Sequence, residues 1–207
     1  MPITLPPHAP GLSIGLFGGS FNPPHEGHLL VARTALRRLR LDRIWWLVTP
    51  GNPLKDISGL PSQEERMAAC RAMIGHEPRI IVTGIEAEIG TRYTQETIAF
   101  LKARCPGVNF VWLMGADNLA GFHRWQKWRE IAEAVPMAII DRPGSTLKAV
   151  ASPTARAYAG YRVDERKAAQ LVLMPAPAWI FLHGRRSDAS STQLRMQKMQ
   201  ASTLKEI

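Results

Sequence analysis

The run Gly18-Gly19-Ser20-Phe21-Asn22-Pro23-Pro24-His25-Glu26-Gly27-His28 brings glycines and two imidazoles into one short stretch. Glycine, lacking Cβ, lets backbone approach a bound group closely and permits positive φ. A helix that starts after such a turn adds free N–H groups and the positive end of its dipole. His25 and His28, spaced i and i+3, share one face of a first helical turn. The chemistry these types suit is polyphosphate binding, with two imidazoles stabilising charge that builds on a phosphate during group transfer. Alone, a Gly-Gly after a strand is an ordinary tight turn, and two histidines fit a helix cap with a packed ring. A zinc pair is the other use of such histidines, but the chain has no HExxH run and no suitably placed cysteine. The segment is not a P-loop, because no GK[ST] follows, and it is not GxGxxG.

Holding these residues requires a strand before them and a helix after. Ser13 to Phe17 reads as a buried strand. His25 to about Leu39 reads as a helix, with Leu29, Ala32, Leu36 and Leu39 on one face and Arg33, Arg37 and Arg40 largely off it. Strand Ile44–Val48 follows. A helix then opens at Ser62 with Glu65 in capping-box spacing, its apolar side carrying Met67, Cys70 and Ile74. Beyond it come strand Arg79–Val82, helix Thr94–Ala103, strand Val108–Met114, helix Trp125–Ala134 and strand Met137–Ile140. A weaker helix covers about Thr146 to Ala157. Leu171–Met174 and Ile180–Leu182 read as short strands, and Ser190 opens a last helix towards Met199.

Alternating strands and helices imply an α/β fold, a Rossmann-like, doubly wound, mainly parallel sheet with helices on both faces. Ligands in such folds bind beyond the carboxyl ends of the strands, where strand order reverses. The Gly18 loop, the Gly115-Ala116-Asp117 turn and the Asp141-Arg142 turn all follow strands and gather on that rim.

The chain has 207 residues, 45% of them hydrophobic and 21% charged. That is the composition of an ordinary globular protein, read as one domain over residues 12–207 behind a loose, proline-rich leader, 1–11. The leader has no basic start and no signal-peptide layout, and no apolar run is long enough for a membrane span. Two cysteines, Cys70 and Cys105, form no CxxC pair and read as small core residues in a reducing cytoplasm. The net charge of +9 comes from scattered residues, including Arg37, Arg38, Arg40, Arg185 and Arg186. No long basic run and no aromatic-rich single-strand signature accompanies it. Such an excess can mean nucleic acid, an acidic membrane or an anionic small substrate; a nucleic-acid partner is not expected here, and the charge reads as a solvated basic surface. Oligomeric state is open, a homo-oligomer included.

GGSFNPPHEGH resembles the signature of the HxGH nucleotidyltransferases, which transfer a nucleotidyl group from a nucleoside triphosphate and release pyrophosphate. Ser190-Ser191-Thr192-Gln193-Leu194-Arg195 resembles their late ISSTxIR motif, with Ala189 where isoleucine is usual. Hydroxyls at a helix start hold phosphate oxygens or cap the helix, and Arg195 supplies a fixed fork of donors. Three further segments are similar to those of the bacterial nicotinate-nucleotide adenylyltransferases. They are the PxxxPxK loop (Pro50 to Lys55), the YTxxTL segment (Tyr93 to Ile98), and Met114-Gly115-Ala116-Asp117-Asn118 followed by Trp125. The resemblance runs from Ile14 to about Arg195.

This resemblance implies adenylyl transfer from ATP to nicotinate mononucleotide, with deamido-NAD and pyrophosphate as products. Mg2+ arrives on the ATP phosphates, with no resident metal site. His25, His28 and Arg195 are then the catalytic set. Gly18, Gly19, Ser20, Phe21, Asn22, Lys55, Asp117, Ser191 and Thr192 fall on the ATP side. Tyr93, Thr94, Trp125 and Arg142 fall on the acceptor side, with Trp125 stacking on the pyridine ring and the Tyr93-Thr94 segment holding the carboxylate. Without it, Trp125 is one of six tryptophans that could simply pack, Thr94 an ordinary helix start, Asp117 a cap, Lys55 a solvated lysine, and Arg142 an open case. Arg92 departs from the small residue common at its place, and either aids carboxylate binding or faces solvent. Other acceptors remain as alternatives: nicotinamide mononucleotide, or phosphopantetheine, whose adenylyltransferases usually have threonine at His25 and lack the YTxxTL and GAD…W segments. A nucleotide-binding module without catalysis is a third.

Overall fold

The computed structural model describes residues 3–51, 59–184, 191–192 and 194–196. Seven strands form one sheet in the order β3-β2-β1-β4-β5-β7-β6, and every pairing is parallel. They are β1 (Ser13–Gly19), β2 (Arg43–Val48), β3 (Ile80–Thr83), β4 (Asn109–Gly115), β5 (Met137–Ile140), β6 (Arg162–Val163) and β7 (Trp179–Leu182). Between them lie α1 (Glu26–Arg38), α2 (Gln63–Ile74), α3 (Ile85–Glu88), α4 (Thr94–Arg104), α5 (Ala116–Gly121), α6 (Trp128–Ala134), α7 (Thr146–Val150) and α8 (Pro153–Ala157).

The doubly wound topology follows from the sequence pattern. From β1 the chain winds outward through β2 to β3, then returns to place β4 on the other side of β1. Strand order therefore reverses between β1 and β4, where this architecture leaves a crevice for ligands. The strands are apolar on both faces because both are covered. Trp45 and Trp46, adjacent on β2 and both fully buried, point into opposite core clusters. One cluster packs α1 and α2 on the sheet through Leu29, Ala32, Leu36, Cys70 and Ile74. The other packs α4, α5 and α6 through Ile98, Leu101, Leu119 and Ile131. Ser62 caps α2 with the expected Glu65 box, and Cys70 and Cys105 are buried free thiols.

Three elements differ from expectation. Leu171–Met174 is no strand. Glu165–Leu173 is a 3-10 segment in which Ala168, Leu171 and Val172 are buried while Leu173 is exposed, the i, i+3, i+4 spacing of a helix. The helix expected over Thr146–Ala157 divides into α7 and α8. Pro153 occupies the first turn of α8, and Ser152 caps it by accepting the Ala155 N–H at 3.2 Å. The helix expected from Trp125 begins at Trp128, since Trp125 is extended and Lys127 takes a left-handed conformation (φ 52°). Helix α5 and strand β6, both short, carry too few residues for a periodic signal.

Residues 3–11, within the segment read as a leader, lie against the sheet. Ile3 and Leu5 pack on one core cluster, the Gly11 N–H donates to the Gly107 carbonyl at 2.7 Å, and His8 meets Trp45 edge-on.

Candidate active site

His25 is the N-cap of α1, and its Nδ1 accepts the Gly27 N–H at 3.1 Å. The Nδ1 of His28, three residues on, accepts the His25 N–H at 3.1 Å. This is a capping box, a device ordinarily built from a hydroxyl and a carboxylate, made here from two imidazoles. The cap sets the tautomer. A ring that accepts through Nδ1 keeps its proton on Nε2, which is left to donate. Burial and the positive charge of Arg142 lower the His25 pKa to about 4, against a smaller opposing effect of Asp117. Burial, then the neighbouring His25, then Arg142 lower that of His28 to about 3. At neutral pH the pair, with ring centroids 3.8 Å apart, consists of two uncharged N–H donors.

Gly27 is what lets them sit so close. A Cβ there would lie 2.9 Å from His25 Cε1 and Nδ1 and 3.2 Å from an Arg142 guanidinium nitrogen. Gly18, which lines the cavity, also meets a packing requirement. It and Gly19 finish β1 without positive φ, and a Cβ on Gly18 would meet Trp112 Cη2 at 2.7 Å. The left-handed residue in this stretch is Phe21 (φ 45°). Phe21 stacks flat on Trp46 at 4.8 Å and lies 4.9 Å from His28, so aromatic surface backs the catalytic-candidate ring.

The late motif docks on the first loop. Ser191 Oγ donates to the Pro23 carbonyl at 2.9 Å. Arg195 donates to the Asn22 carbonyl at 2.5 Å and to Thr192 Oγ1 at 3.2 Å. From β5, Arg142 reaches Asp117 at 3.6 Å. On the opposite wall Tyr93 caps α4 with no side-chain hydrogen bond to the helix start, so the first amides of α4 keep their donors. Trp125, half-buried, packs edge-on to Trp112 at 6.2 Å and against Phe122 at 5.2 Å.

These groups border one cavity of about 590 Å³. Its lining includes Gly18, Gly19, Ser20, Phe21, His25, His28, Ser191, Thr192 and Arg195 on one side. Tyr93, Thr94, Asp117, Trp125 and Arg142 complete it on the other. Asn22 contributes its carbonyl to Arg195 and is not part of the lining. Lys55 lies outside the described residues.

Residues 16–197 match the cytidylyltransferase-like family. A protein of Agrobacterium fabrum named probable nicotinate-nucleotide adenylyltransferase is 59% identical over 182 residues, covering 88% of this chain and 97% of its own. One of the same name from Rhizobium meliloti is 56% identical over 187 residues, covering 90% of this chain and 99% of its own. The chain belongs to the nicotinate-nucleotide adenylyltransferase family. The nicotinic acid mononucleotide adenylyltransferase of Plasmodium falciparum, solved in complex with NaAD, shares the fold with a TM-score of 0.67 at 17% identity. The match covers 89% of this chain and 83% of that one.

Two residues, one behind the cavity wall and one in it, escaped sequence reasoning. Arg66 is buried and donates to the carbonyls of Ser20 and Thr49 (2.8 Å each), Pro61 (3.0 Å) and Pro50 (3.4 Å), tying the first loop to the loop after β2. Its signal was present, because positions 66, 70 and 74 recur one turn apart on the buried face of α2. Glu86, on α3, is buried at the cavity wall, where burial raises its pKa against hydrogen bonds from Thr49 and Thr97. No spacing in the sequence marks it.

Proposed function

We propose that this chain catalyses adenylyl transfer from ATP to nicotinate mononucleotide, forming deamido-NAD and pyrophosphate, in NAD biosynthesis. The observation that carries this reading is convergence. The histidine pair of the first loop, the late Ser191–Arg195 motif and the Trp125 wall, far apart in sequence, face one cavity. A phosphate oxygen of the mononucleotide attacks the α-phosphorus of ATP in line. The bond from that phosphorus to the bridging oxygen of the β-phosphate breaks, and pyrophosphate leaves. The attacking phosphate is already anionic, so no general base is needed. The protein's task is to align two anions and offset their repulsion.

In this mechanism the Nε2–H groups of His25 and His28 donate to phosphate oxygens as charge moves towards the leaving group. Their neutrality before substrate binds leaves directional hydrogen bonds rather than diffuse charge. Arg195 exchanges the Asn22 carbonyl for a phosphate oxygen, a stronger, charge-assisted partner. Ser191 and Thr192 supply hydroxyls beside it, Gly18, Gly19, Ser20 and Phe21 form the bed of the triphosphate, Asn22 contributes the carbonyl that Arg195 gives up, and Asp117 stands on the nucleotide side; Lys55, outside the described residues, is assigned to ATP by the family resemblance alone. Arg142 faces the acceptor phosphate, and Trp125 offers a flat face to the pyridinium ring, adding cation–π attraction. The α4 amides at Tyr93-Thr94 receive the carboxylate.

Magnesium enters with ATP, held by phosphate oxygens and water. Among the described residues no group of three or more His, Cys, Asp or Glu is placed to hold a metal. Residues 12–207 act as one catalytic domain. A reducing cytoplasm suits its two buried, unpaired thiols. No helix among the described residues is long and apolar enough to cross a membrane.

The test is an acceptor panel. The protein is mixed with ATP, magnesium and either nicotinate mononucleotide, nicotinamide mononucleotide or phosphopantetheine, and pyrophosphate is assayed. Fastest release with nicotinate mononucleotide, with deamido-NAD as product, is expected. Faster release with another acceptor, or none with any, overturns the reading.

A further inference from the structure

Nicotinate and nicotinamide mononucleotides differ only in the group on the pyridine ring, a carboxylate in one and a carboxamide in the other. A backbone N–H donates to either, so amides alone separate the two weakly. A fixed positive charge separates them by Coulomb energy.

Four arginines line the cavity: Arg92, Arg124, Arg142 and Arg195. Arg142 has Asp117 at 3.6 Å, and Arg195 is engaged with Asn22 and Thr192. Glu86 is turned to hydroxyls, and Glu96, the acid in the first turn of α4, takes the Thr91 hydroxyl. Arg92 and Arg124 alone of the four make no hydrogen bond or ion pair with any described residue. The two differ in placement. Arg124 folds back over α5, where a Cβ on Gly121 would lie 2.9 Å from its Nη2. Arg92 stands immediately before Tyr93, at the uncapped start of α4, and is exposed at the cavity that Tyr93, Thr94 and Trp125 also line.

We infer that Arg92 is a specificity-determining residue, whose guanidinium selects the acid over the amide form of the acceptor mononucleotide by pairing with its ring carboxylate. The inference rests on the acceptor assignment made above. All donors at the start of α4, amide and guanidinium alike, then favour an oxygen at both positions of the ring substituent. The carboxamide NH2 meets only donors there. Because Arg92 is exposed, water and salt screen its charge, so the discrimination it adds is modest and falls with ionic strength.

The experiment measures kcat/KM for both mononucleotides at saturating ATP, in the parent and in Arg92→Ala, Arg92→Lys and Arg124→Ala, at about 0.05 M and 0.5 M salt. For Arg92→Ala at low salt the acid-over-amide ratio is expected to fall roughly five- to tenfold, through the KM for nicotinate mononucleotide, with the KM for ATP unchanged. Arg92→Lys keeps most of the ratio. The parent's ratio declines at high salt, whereas that of Arg92→Ala stays flat. An unchanged ratio in Arg92→Ala, an equal loss on both acceptors, or a loss seen in Arg124→Ala instead overturns the inference. Where the amide turns over too slowly, its inhibition constant against the acid replaces its KM. A parent that makes no deamido-NAD refutes the proposed function itself. A parent that makes it, with a ratio indifferent to Arg92, refutes only the role of Arg92.

Discussion

Gly27→Ala should separate the activity of this protein from its stability. The added Cβ would stand 2.9 Å from two atoms of the His25 ring, and ordinary contact begins near 3.4 Å. The ring has to retreat by about 0.5 Å, the tolerance of a well-made catalytic constellation. It has little room, with the His28 ring centroid 3.8 Å from its own and the Arg142 guanidinium on the same methyl. Moving it breaks the Nδ1 cap, worth about 1 kcal/mol. Alanine inside a helix regains about 0.5–1 kcal/mol over glycine. The two nearly cancel, so the urea midpoint should shift little. Catalysis has no such offset. A donor displaced by a fraction of an ångström to 1 Å loses about 10- to 100-fold in kcat. Urea unfolding and initial rates of pyrophosphate release at saturating ATP and nicotinate mononucleotide measure the two quantities. A variant with the parent's midpoint and a kcat within about threefold of the parent's would refute the argument, because the His25 position would not matter to the chemistry.

His28→Ala should lower kcat by at least ~100-fold, the scale of one lost transition-state donor, and unchanged turnover would remove His28 from the mechanism. Trp125→Ala should raise the KM for the mononucleotide more than that for ATP, and an equal effect on both, or none, counts against stacking. In the free protein, imidazole resonances of His25 and His28 should show no titration between about pH 5.5 and 8, since burial and Arg142 hold both well below the usual 6.5; midpoints near 6.5 would contradict the neutral-donor assignment. Both pKa values are lower folded than unfolded, so the unfolded chain takes up protons first. Stability from this source is full above about pH 6.5 and is lost as pH falls through about 4 and 3. His28→Leu should flatten the fall of unfolding free energy between about pH 6 and 4.5.

The sheet was legible because buried parallel strands are apolar on both faces and helices between them repeat every 3.6 residues. What misled was local. Leu171–Met174 has the composition of a strand, and only the burial of Ala168, Leu171 and Val172 together shows the helical spacing. The Trp125 helix was read three residues too early because Trp125 and Trp128 have the i, i+3 spacing of a helix face, whereas the left-handed Lys127 is a tertiary outcome. For the site, the motif residues were found by type, but not the reason for each type. Gly18 was read as a place for phosphate, and its further duty, leaving room for Trp112, was not visible. Gly27 was read as part of the signature, and the structure supplies its reason: it is the spacer that admits the His25 ring. The first requirement arises between two strands that meet only in the folded state, the second from how the capping ring folds back over its own helix start.

The histidine pair shows why motif and mechanism coincide here. A serine–glutamate box would cap α1 as well, as Ser62 and Glu65 do for α2. It would place a carboxylate where the proposed mechanism puts the triphosphate. Two imidazoles satisfy the same helix amides through Nδ1 and leave a neutral donor on each opposite nitrogen. The hydrogen bonds that start the helix are thus the ones that fix the tautomer, and burial in the same fold keeps the rings uncharged. It follows that stability and turnover share atoms at this one point of the chain. Substitutions at His25 and His28 should lose both together, while those at Gly27, which gives the cap only a backbone N–H, and at Arg92, proposed to meet the acceptor and no part of the cap, should lose function first.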